Sequence, residues 1–333
     1  MPLPWSVELA VRLTATGHPH GTVLIRALFA TIGHPVRGQL ETLCRSKDSV
    51  VACGAELLMT RLPVPPAHRI GIEVIGHLRL LRDGAVVDAP ELRRGRVRQL
   101  LSALVLHDQL SRNRVIELLW PDLDRVDAGR NLRVTLTHLR RLLEPGRSGG
   151  SVGHHLRTTD EHIALVRSEA MTVDLWTTRE LATRARCARA SGDIDAAAEL
   201  LCQAVDHWRS EPLPDLAPLA CPDVAARIAG VRAAHIAAML ELGELRLVSG
   251  DPAPAFALAE RALTLDPFDG RGHRLLLAAA LRSHHPVEAA RARRTVCAAL
   301  RELGVAPDPA TALLLRQLSP KRLPSQQVRA LHG

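Results

Sequence analysis

The spacing of hydrophobic and polar residues changes twice along this chain, which divides it into three stretches. Residues 1–62 have a helical period that is interrupted by glycine and proline at residues 33–35. Residues 70–90 alternate instead, and Asp83-Gly84 separates two alternating runs, which predicts a small antiparallel sheet with a tight turn. The remaining C-terminal part returns, after further helical patterns and a short hairpin, to a helical period.

Three helical patterns follow the predicted sheet and are separated by short loops. They cover residues 93–107, 111–120 and 127–144, with Ser111 as a candidate N-cap. Residues 155–166 alternate again around a polar turn, which predicts a β-hairpin. A small sheet, three helices and a hairpin in this order predict a winged helix.

The C-terminal half contains an internal repeat. The segment that begins at Ser249-Gly250-Asp251-Pro252 aligns with the segment that begins at Ser283, at an offset of 34 residues, which is the period of a tetratricopeptide helix pair. Stacked helix pairs bury a core that no single pair could bury alone. The predicted fold class is therefore mainly α, a winged helix with small β-sheets followed by a tetratricopeptide-like helical domain.

Proline-rich punctuation and the changes of period define five segments. Leu62-Pro63-Val64-Pro65-Pro66 cannot continue a helix, so it is interpreted as a stiff linker. The predicted organisation is a helical N-terminal segment, a Pro-rich linker, a winged-helix domain, a tetratricopeptide-like domain and a flexible tail, at residues 1–62, 63–69, 70–168, 172–318 and 319–333, respectively.

The third helix of the winged-helix region carries the sharpest functional signal. At about 100° per residue its core leucines, beginning with Leu132, fall on one side, and an arginine-rich set falls on the opposite side. Arginine hydrogen-bonds guanine, threonine bonds several base edges, and valine contacts the thymine methyl group. We therefore predict that this helix enters a DNA major groove and reads bases with Arg130, Val134, Thr137, His138 and Arg141. The alternative is an ordinary amphipathic helix with a solvated basic face.

Other arginines in this region suit contacts to DNA that do not depend on sequence. Residues 91–146 hold eleven arginines and seven acids, a net charge of +4, and such cations position a protein on the phosphate backbone. The predicted phosphate contacts are Arg94, Arg96, Arg98, Arg133 and Arg140, with Arg157 as a contact from the hairpin. For the arginines at the start of the first helix, a solvated helix start is the alternative.

Composition agrees with a nucleic-acid partner. The net charge of the 333 residues is +8, and nearly all cations are arginine, since only Lys47 and Lys321 are lysines. Arginine binds phosphate bidentately, although a GC-rich genome also raises the arginine content. The six cysteines are scattered, no apolar run is long enough to cross a membrane, and the amino terminus lacks the pattern of a signal peptide. These features predict a cytoplasmic protein.

Catalytic and metal-binding motifs are weak in this sequence. It has no P-loop and no His-Glu-x-x-His pattern. A Gly-x-Ser-x-Gly match around Ser148 follows a predicted helix instead of a strand, which argues against a nucleophile elbow. The adjacent histidine pairs at residues 154–155 and 284–285 are expected to point apart on a strand or helix, which argues against metal ligation. We therefore predict a protein that is not an enzyme and needs no metal or cofactor.

Several stretches of the chain resemble the Streptomyces antibiotic regulatory protein family, which joins a winged helix to a bacterial transcriptional activator domain. The most telling stretch is Glu302-Leu303-Gly304-Val305-Ala306-Pro307, near the end of the helical region. The other matching stretches are Arg98–Leu101, Leu119–Pro121, Arg130–Val134, Leu139–Pro145, Val173-Asp174 and His207–Arg209. The resemblance covers residues 71–318, about three quarters of the chain.

The resemblance implies a transcriptional activator that binds double-stranded DNA as a homodimer and contacts RNA polymerase. It implies that the polymerase is contacted by the loop between the second and third helices, through Asp122, Leu123, Asp124, Arg125 and Val126. The helical domain would help to dimerise the protein or receive a signal.

Two other functions stay open. A helical-repeat scaffold whose winged helix mediates only protein contacts is favoured by Asp122, Asp124 and Asp127 beside the third helix, and by the long helical repeat. The other is a regulatory subunit that works with a separate ATPase. Residues 1–65 resemble the end of a helical region in larger ATPase-containing regulators, of which this chain would be a truncated relative. Steep salt dependence distinguishes DNA binding from a scaffold role.

Overall fold

The computed structural model is mainly α-helical, which confirms the predicted fold class. It describes residues 4–33, 35–62, 68–145 and 153–318. Three predicted features lie outside the described residues: most of the linker at 63–69, the loop around Ser148, and the tail at 319–333.

Contacts within the chain define two compact units. The first consists of Met1–Thr177 together with Arg209–Ile228, and the second consists of Thr178–Trp208 together with Ala229–Gly333. The first unit therefore holds the winged-helix region and also the segment Arg209–Ile228, which the sequence assigned to the C-terminal domain.

Four helices begin the first unit: α1 Pro4–Ala15, α2 His20–Ile32, α3 Pro35–Cys44 and α4 Ser49–Met59. The break between α2 and α3 lies where it was predicted, and Gly33 adopts a φ of 80° there, a conformation that favours glycine. α4 begins at an N-cap that the sequence analysis missed. The side chain of Asp48 accepts hydrogen bonds from the backbone N–H groups of Val50 and Val51. The apolar faces of the four helices close over a small core of their own.

Seven short strands lie in the described part of the first unit and form two sheets. They are β1 Ile70–Glu73, β2 Arg79–Arg82, β3 Ala85–Val86, β4 Leu110–Ser111, β5 Leu156–Thr158, β6 His162–Leu165 and β7 Met171–Val173. The strand orders are β3-β2-β1-β7 and β4-β6-β5. Asp83 and Gly84 have φ values of 50° and 84°, as a type I′ turn between β2 and β3 requires. β7 pairs in parallel with β1 and was not predicted, because three residues are too few to show a period.

The helices of the winged-helix region are a 3-10 helix Pro90–Arg93, α5 Gly95–Leu106, α6 Arg112–Leu119 and α7 Arg125–Leu143. Ser111 caps α6 as predicted, since its side chain accepts a hydrogen bond from the N–H group of Arg114. α7 begins at Arg125, earlier than the predicted start at residue 127, because Asp124 caps the helix. With the hairpin β5–β6, these elements form the predicted winged helix.

α7 is held in the first unit by one apolar face. Leu132, Leu136, Leu139 and Leu143 are buried, as the helical wheel predicted. Each buried leucine contributes roughly 1.5 to 3 kcal/mol relative to an exposed one. The packed face is thus sufficient to fix the helix, and the residues on the opposite face are not needed for that purpose.

The second unit is built from helices, two of which, α8 and α10, begin in the first unit. The helices are α8 Asp174–Ala190, α9 Ile194–Asp206, α10 Pro222–Val248, α11 Pro252–Leu265, α12 Gly270–Ser283, α13 Pro286–Leu303 and α14 Pro309–Gln317. Pro252 and Pro286 begin α11 and α13, so the predicted offset of 34 residues relates two helix starts. Ala255, Ala259 and Ala262 are buried in the shared core. Across the described ranges, no helix combines the length and the apolar character that a membrane span requires.

Candidate nucleic-acid interface

The side of α7 that faces away from the core carries four of the five predicted base-reading residues. Arg130, Val134, Thr137 and Arg141 are exposed, and their positions fall within about 60° of one another around the helix axis. Val134 exposes 51% of its surface. His138 lies at the edge of this face, because it is half-buried and its Nδ1 atom is inaccessible to solvent. We call the set of Arg130, Val134, Thr137 and Arg141 the outward face of α7.

The acidic residues at the start of α7 have partners within the protein. Asp124 accepts hydrogen bonds from the N–H groups of Asp127 and Val126, and these bonds lower the pKa of its carboxyl group below the ordinary value. Asp127 Oδ1 accepts a hydrogen bond of 2.9 Å from Arg130 Nη1. The two carboxylates therefore fix the helix start and orient an arginine of the outward face. Their presence no longer favours the scaffold alternative.

The arginines that flank the outward face contact the protein itself. Arg140 Nη2 donates to Thr158 Oγ1 on β5 and so ties α7 to the hairpin. Arg133 is exposed, and its Nε donates to the carbonyl oxygen of Gly129 at 3.3 Å. Arg157 is half-buried on β5, and the hairpin turn carries exposed acids at residues 160–161. Because acids are repelled by phosphates, the contact predicted for Arg157 gains no support from the turn beside it.

The arginines around the first turn of α5 differ in their availability. Arg94 and Arg96 are exposed, and the guanidinium carbon of Arg96 lies 5.9 Å from the ring centroid of Trp120. Arg98 instead donates to Asp215 Oδ1 at 2.8 Å and to a backbone carbonyl of the preceding 3-10 helix at 2.9 Å. Its guanidinium holds the 3-10 helix Pro214–Leu219 against α5. We therefore remove Arg98 from the set of phosphate contacts.

A hydrogen-bonded contact that was not predicted joins two of the stretches that carry the family resemblance, Val173-Asp174 and His207–Arg209. The Asp174 carboxylate, which is 6% exposed, accepts hydrogen bonds from the N–H groups of Val74 and Ile75 at 2.9–3.0 Å. It also accepts one from Arg209 Nη2 at 2.9 Å. We call Asp174, Val74, Ile75 and Arg209 the Asp174 clamp. It fastens the start of α8 and the segment after α9 to the end of β1.

The loop predicted to contact a polymerase is shorter than expected. Arg125 and Val126 belong to the first turn of α7, because the cap at Asp124 starts the helix there. Asp122, Leu123 and Asp124 remain between the helices, with Leu123 44% exposed and Val126 69% exposed. An open groove of about 220 Å³ lies beside the loop and is lined by Asn113, Ile116, Glu117, Trp120, Pro121, Leu123 and Arg125. Its walls combine aromatic and aliphatic side chains with polar and charged ones, which suits an apolar side chain of a partner with a polar rim.

The histidines were expected to point apart where they are adjacent, and for one pair this is wrong. His154 and His155 lie in a bend before β5 and not in a strand, so both rings are buried and lie 4.9 Å apart, edge to face. The N–H group of His155 donates to Glu144 Oε1. Within the described ranges, no group of three or more His, Cys, Asp or Glu side chains is arranged to hold a metal ion.

The fold and the outward face of α7 define a winged-helix protein with an attached helical-repeat domain. Residues 173–318 match the family model of the bacterial transcriptional activator domain. These residues are therefore a bacterial transcriptional activator domain, and the resemblance to the Streptomyces antibiotic regulatory protein family is confirmed. The match covers 146 of the 333 residues and concerns this domain alone.

A solved structure has a similar fold. Mycobacterium tuberculosis EmbR, in complex with a low affinity phosphopeptide, matches with a TM-score of 0.63 and 21% sequence identity, over 75% of this chain and 65% of that chain. At this identity the likeness concerns the fold, and it confirms a winged helix followed by a helical domain. The chain thus spans less than two thirds of the EmbR chain. No curated protein matches the sequence.

Proposed function

We propose that this protein is a transcriptional activator that places the outward face of α7 in the major groove of double-stranded DNA. The observation that carries the proposal is the exposure of Arg130, Val134, Thr137 and Arg141 on one side of a helix whose other side is packed in the core. The bacterial transcriptional activator domain supports a role in transcription. A half-exposed valine between arginines is suited to base edges, which offer both apolar and polar contacts.

The length of the outward face suits about half a turn of the duplex. At a rise of 1.5 Å per residue, Arg130 and Arg141 lie about 16 Å apart along α7, which corresponds to about five base pairs. Arg94, Arg96 and Arg133 are exposed and are assigned to phosphates. Arg140 donates a hydrogen bond to Thr158, and a contact from Arg140 to a DNA phosphate is therefore a secondary part of the proposal.

Replacing Arg141 by alanine should weaken binding to the cognate duplex about tenfold to a hundredfold, because a bidentate contact to guanine discriminates by about 1 to 3 kcal/mol. Binding to a random duplex should change little. Fluorescence anisotropy with a labelled fragment from the upstream region of the protein's own gene, beside a random duplex of equal length, measures both values.

Two further variants make this test specific. Arg294→Ala removes an exposed arginine from α13 and should leave both affinities unchanged. Arg96→Ala should weaken binding to both duplexes alike and reduce the salt slope by about one. An equal loss on both duplexes for Arg141→Ala would contradict base reading. Weak binding of the wild type, equal on both duplexes and lost between about 50 and 200 mM salt, would instead favour the scaffold alternative.

We further propose that the groove beside the α6–α7 loop contacts RNA polymerase. Leu123 is exposed and lines the groove together with Trp120, and Val126 is exposed in the first turn of α7. A few anchors, most often aromatic side chains or arginine, supply most of the affinity of protein interfaces. The homodimer on DNA, the cytoplasmic location and the non-enzymatic role belong to the same proposal.

Leu123→Asp should reduce activated transcription at least about fivefold without changing DNA affinity, because it removes an apolar contact beside Trp120 and places a charge where the partner's apolar side chain would bind. In vitro transcription with RNA polymerase from the source organism measures the first effect, and anisotropy measures the second. Val248→Asp alters a valine that is 76% exposed at the end of α10, and it serves as the matched control. If both variants activate like the wild type, the groove is not the polymerase contact.

A further inference from the structure

We infer that the centre of the outward face of α7 recognises the C5-methyl groups of thymine through the paired methyl groups of Val134 and Thr137. The inference rests on the proposed DNA binding and specifies which base chemistry is read. It predicts a half-site in which thymine lies between two guanines, the latter bound by Arg130 and Arg141.

The positions of Val134 and Thr137 make them one patch. They are three residues apart, so they are neighbours on the helix surface, and both are exposed. Arg130 precedes Val134 by about one turn, and Arg141 follows Thr137 by about one turn. Any DNA that contacts both arginines therefore passes over the valine and the threonine.

Thr137 presents its methyl group because its hydroxyl group is already engaged. Thr137 Oγ1 donates to the carbonyl oxygen of Arg133 at 3.0 Å, so the hydroxyl hydrogen is directed back along the helix. Val134 has no polar atom in its side chain. The centre of the outward face therefore offers methyl groups and no free hydrogen-bond donor from a side chain.

The methyl patch distinguishes one base from the others. In the major groove only thymine carries a C5-methyl group, whereas guanine offers two acceptors that suit arginine. Arg130 Nη1 donates to Asp127 Oδ1 at 2.9 Å. This ion pair holds the first arginine at one end of the methyl patch. The order arginine, methyl patch, arginine thus corresponds to guanine, thymine, guanine along the groove.

The test begins with selection of binding sites from a random duplex pool by the full-length protein. Each thymine of the selected site is then replaced in turn by uracil, which removes only the C5-methyl group. At one or two central positions the wild-type affinity should fall about fourfold, the effect of about 0.8 kcal/mol for one buried methyl-sized group. The same replacements should have a smaller effect on Val134→Ala, because only the methyl group of Thr137 remains.

Two substitutions at Thr137 distinguish the methyl group from the hydroxyl group. Thr137→Val keeps the methyl group and should retain the wild-type affinity and the uracil effect, whereas Thr137→Ser keeps only the hydroxyl group and should lose affinity about fourfold. Threonine, valine and serine have similar helix propensities, so we expect α7 to stay folded in both variants. Circular dichroism checks this. The opposite ranking would overturn the inference.

The outcomes separate this inference from the proposed function. If no sequence is enriched from the pool, the protein is not a sequence-specific DNA-binding protein and both fail. If a site is enriched and Arg141→Ala relaxes its specificity, but no uracil replacement discriminates wild type from Val134→Ala, only the methyl inference is wrong.

Discussion

Asp174→Ala is expected to lower the free energy of unfolding of the first unit by about 3 kcal/mol. The substitution leaves the N–H groups of Val74 and Ile75 without their acceptor, and it removes the carboxylate from Arg209. A buried backbone donor that loses its partner costs about 1 to 3 kcal/mol, and a charged acceptor adds to the loss. This effect is a large fraction of the stability of an ordinary domain, which is about 5 to 15 kcal/mol.

Urea unfolding followed by tryptophan fluorescence measures the effect, because Trp5, Trp120 and Trp176 all belong to the first unit. Asp48→Ala is the matched control, since Asp48 also lies at a helix start in the first unit and accepts hydrogen bonds from two backbone N–H groups, but it is exposed. Its loss should cost about 1 kcal/mol, as for an ordinary N-cap. If the two variants have the same midpoint, the Asp174 clamp has no special role.

The Asp174 clamp also determines which fragment of the chain keeps the contacts of the winged-helix region. A fragment limited to the predicted winged-helix domain, residues 70–168, would lack β7, Asp174 and Arg209. It would also lack Asp215, the partner of Arg98. A fragment that extends to residue 228 retains all of these contacts and is the better choice for DNA-binding studies.

The features that could be predicted from the sequence are those that depend only on residues close together in the chain. The turn at Asp83-Gly84 needs two positive φ values, and this dipeptide supplies them. The cap at Ser111 needs one hydroxyl group before an apolar period. The leucines of α7 define its packed side, and the outward face follows from them by rotation alone.

The features that could not be predicted depend on contacts between distant residues. Asp174 and Arg209 are 35 residues apart, and Arg98 and Asp215 are 117 residues apart. Periodicity describes one helix or strand at a time, so it does not reveal that an exposed-looking arginine has a carboxylate partner elsewhere. His138 was misplaced for a related reason. It lies about 80° from Arg130 around α7, where burial depends on what packs beside the helix.

A buried histidine in the second unit predicts a pH dependence of stability. His235 is 3% exposed, and its ring stacks on Trp208 with centroids 4.1 Å apart and planes 5° apart. Among the residues that the structure describes, neither ring nitrogen has a hydrogen-bond partner. Burial, with a smaller contribution from the positive charge of Arg261, lowers the pKa of His235 to about 4.

The second unit should therefore lose about 2 kcal/mol of stability between about pH 7.5 and about pH 5. In the unfolded chain His235 takes up a proton near its ordinary pKa of 6.5, whereas the folded protein keeps it neutral until about pH 4. The unfolded state thus binds more protons in this interval. The free energy of unfolding therefore has its full value well above pH 6.5, and it falls as the pH drops through 6.5 toward 4.

Urea midpoints at the two pH values, followed by far-ultraviolet circular dichroism, measure this loss. The contribution of His235 is isolated by comparison with His235→Phe, which keeps an aromatic ring against Trp208 and removes the ring nitrogens. The variant should be at least as stable as the wild type at neutral pH, because two buried nitrogens without partners are gone. It should also lose about 2 kcal/mol less on acidification. Parallel pH profiles would show that His235 is hydrated or paired in solution, and that its burial does not oppose protonation.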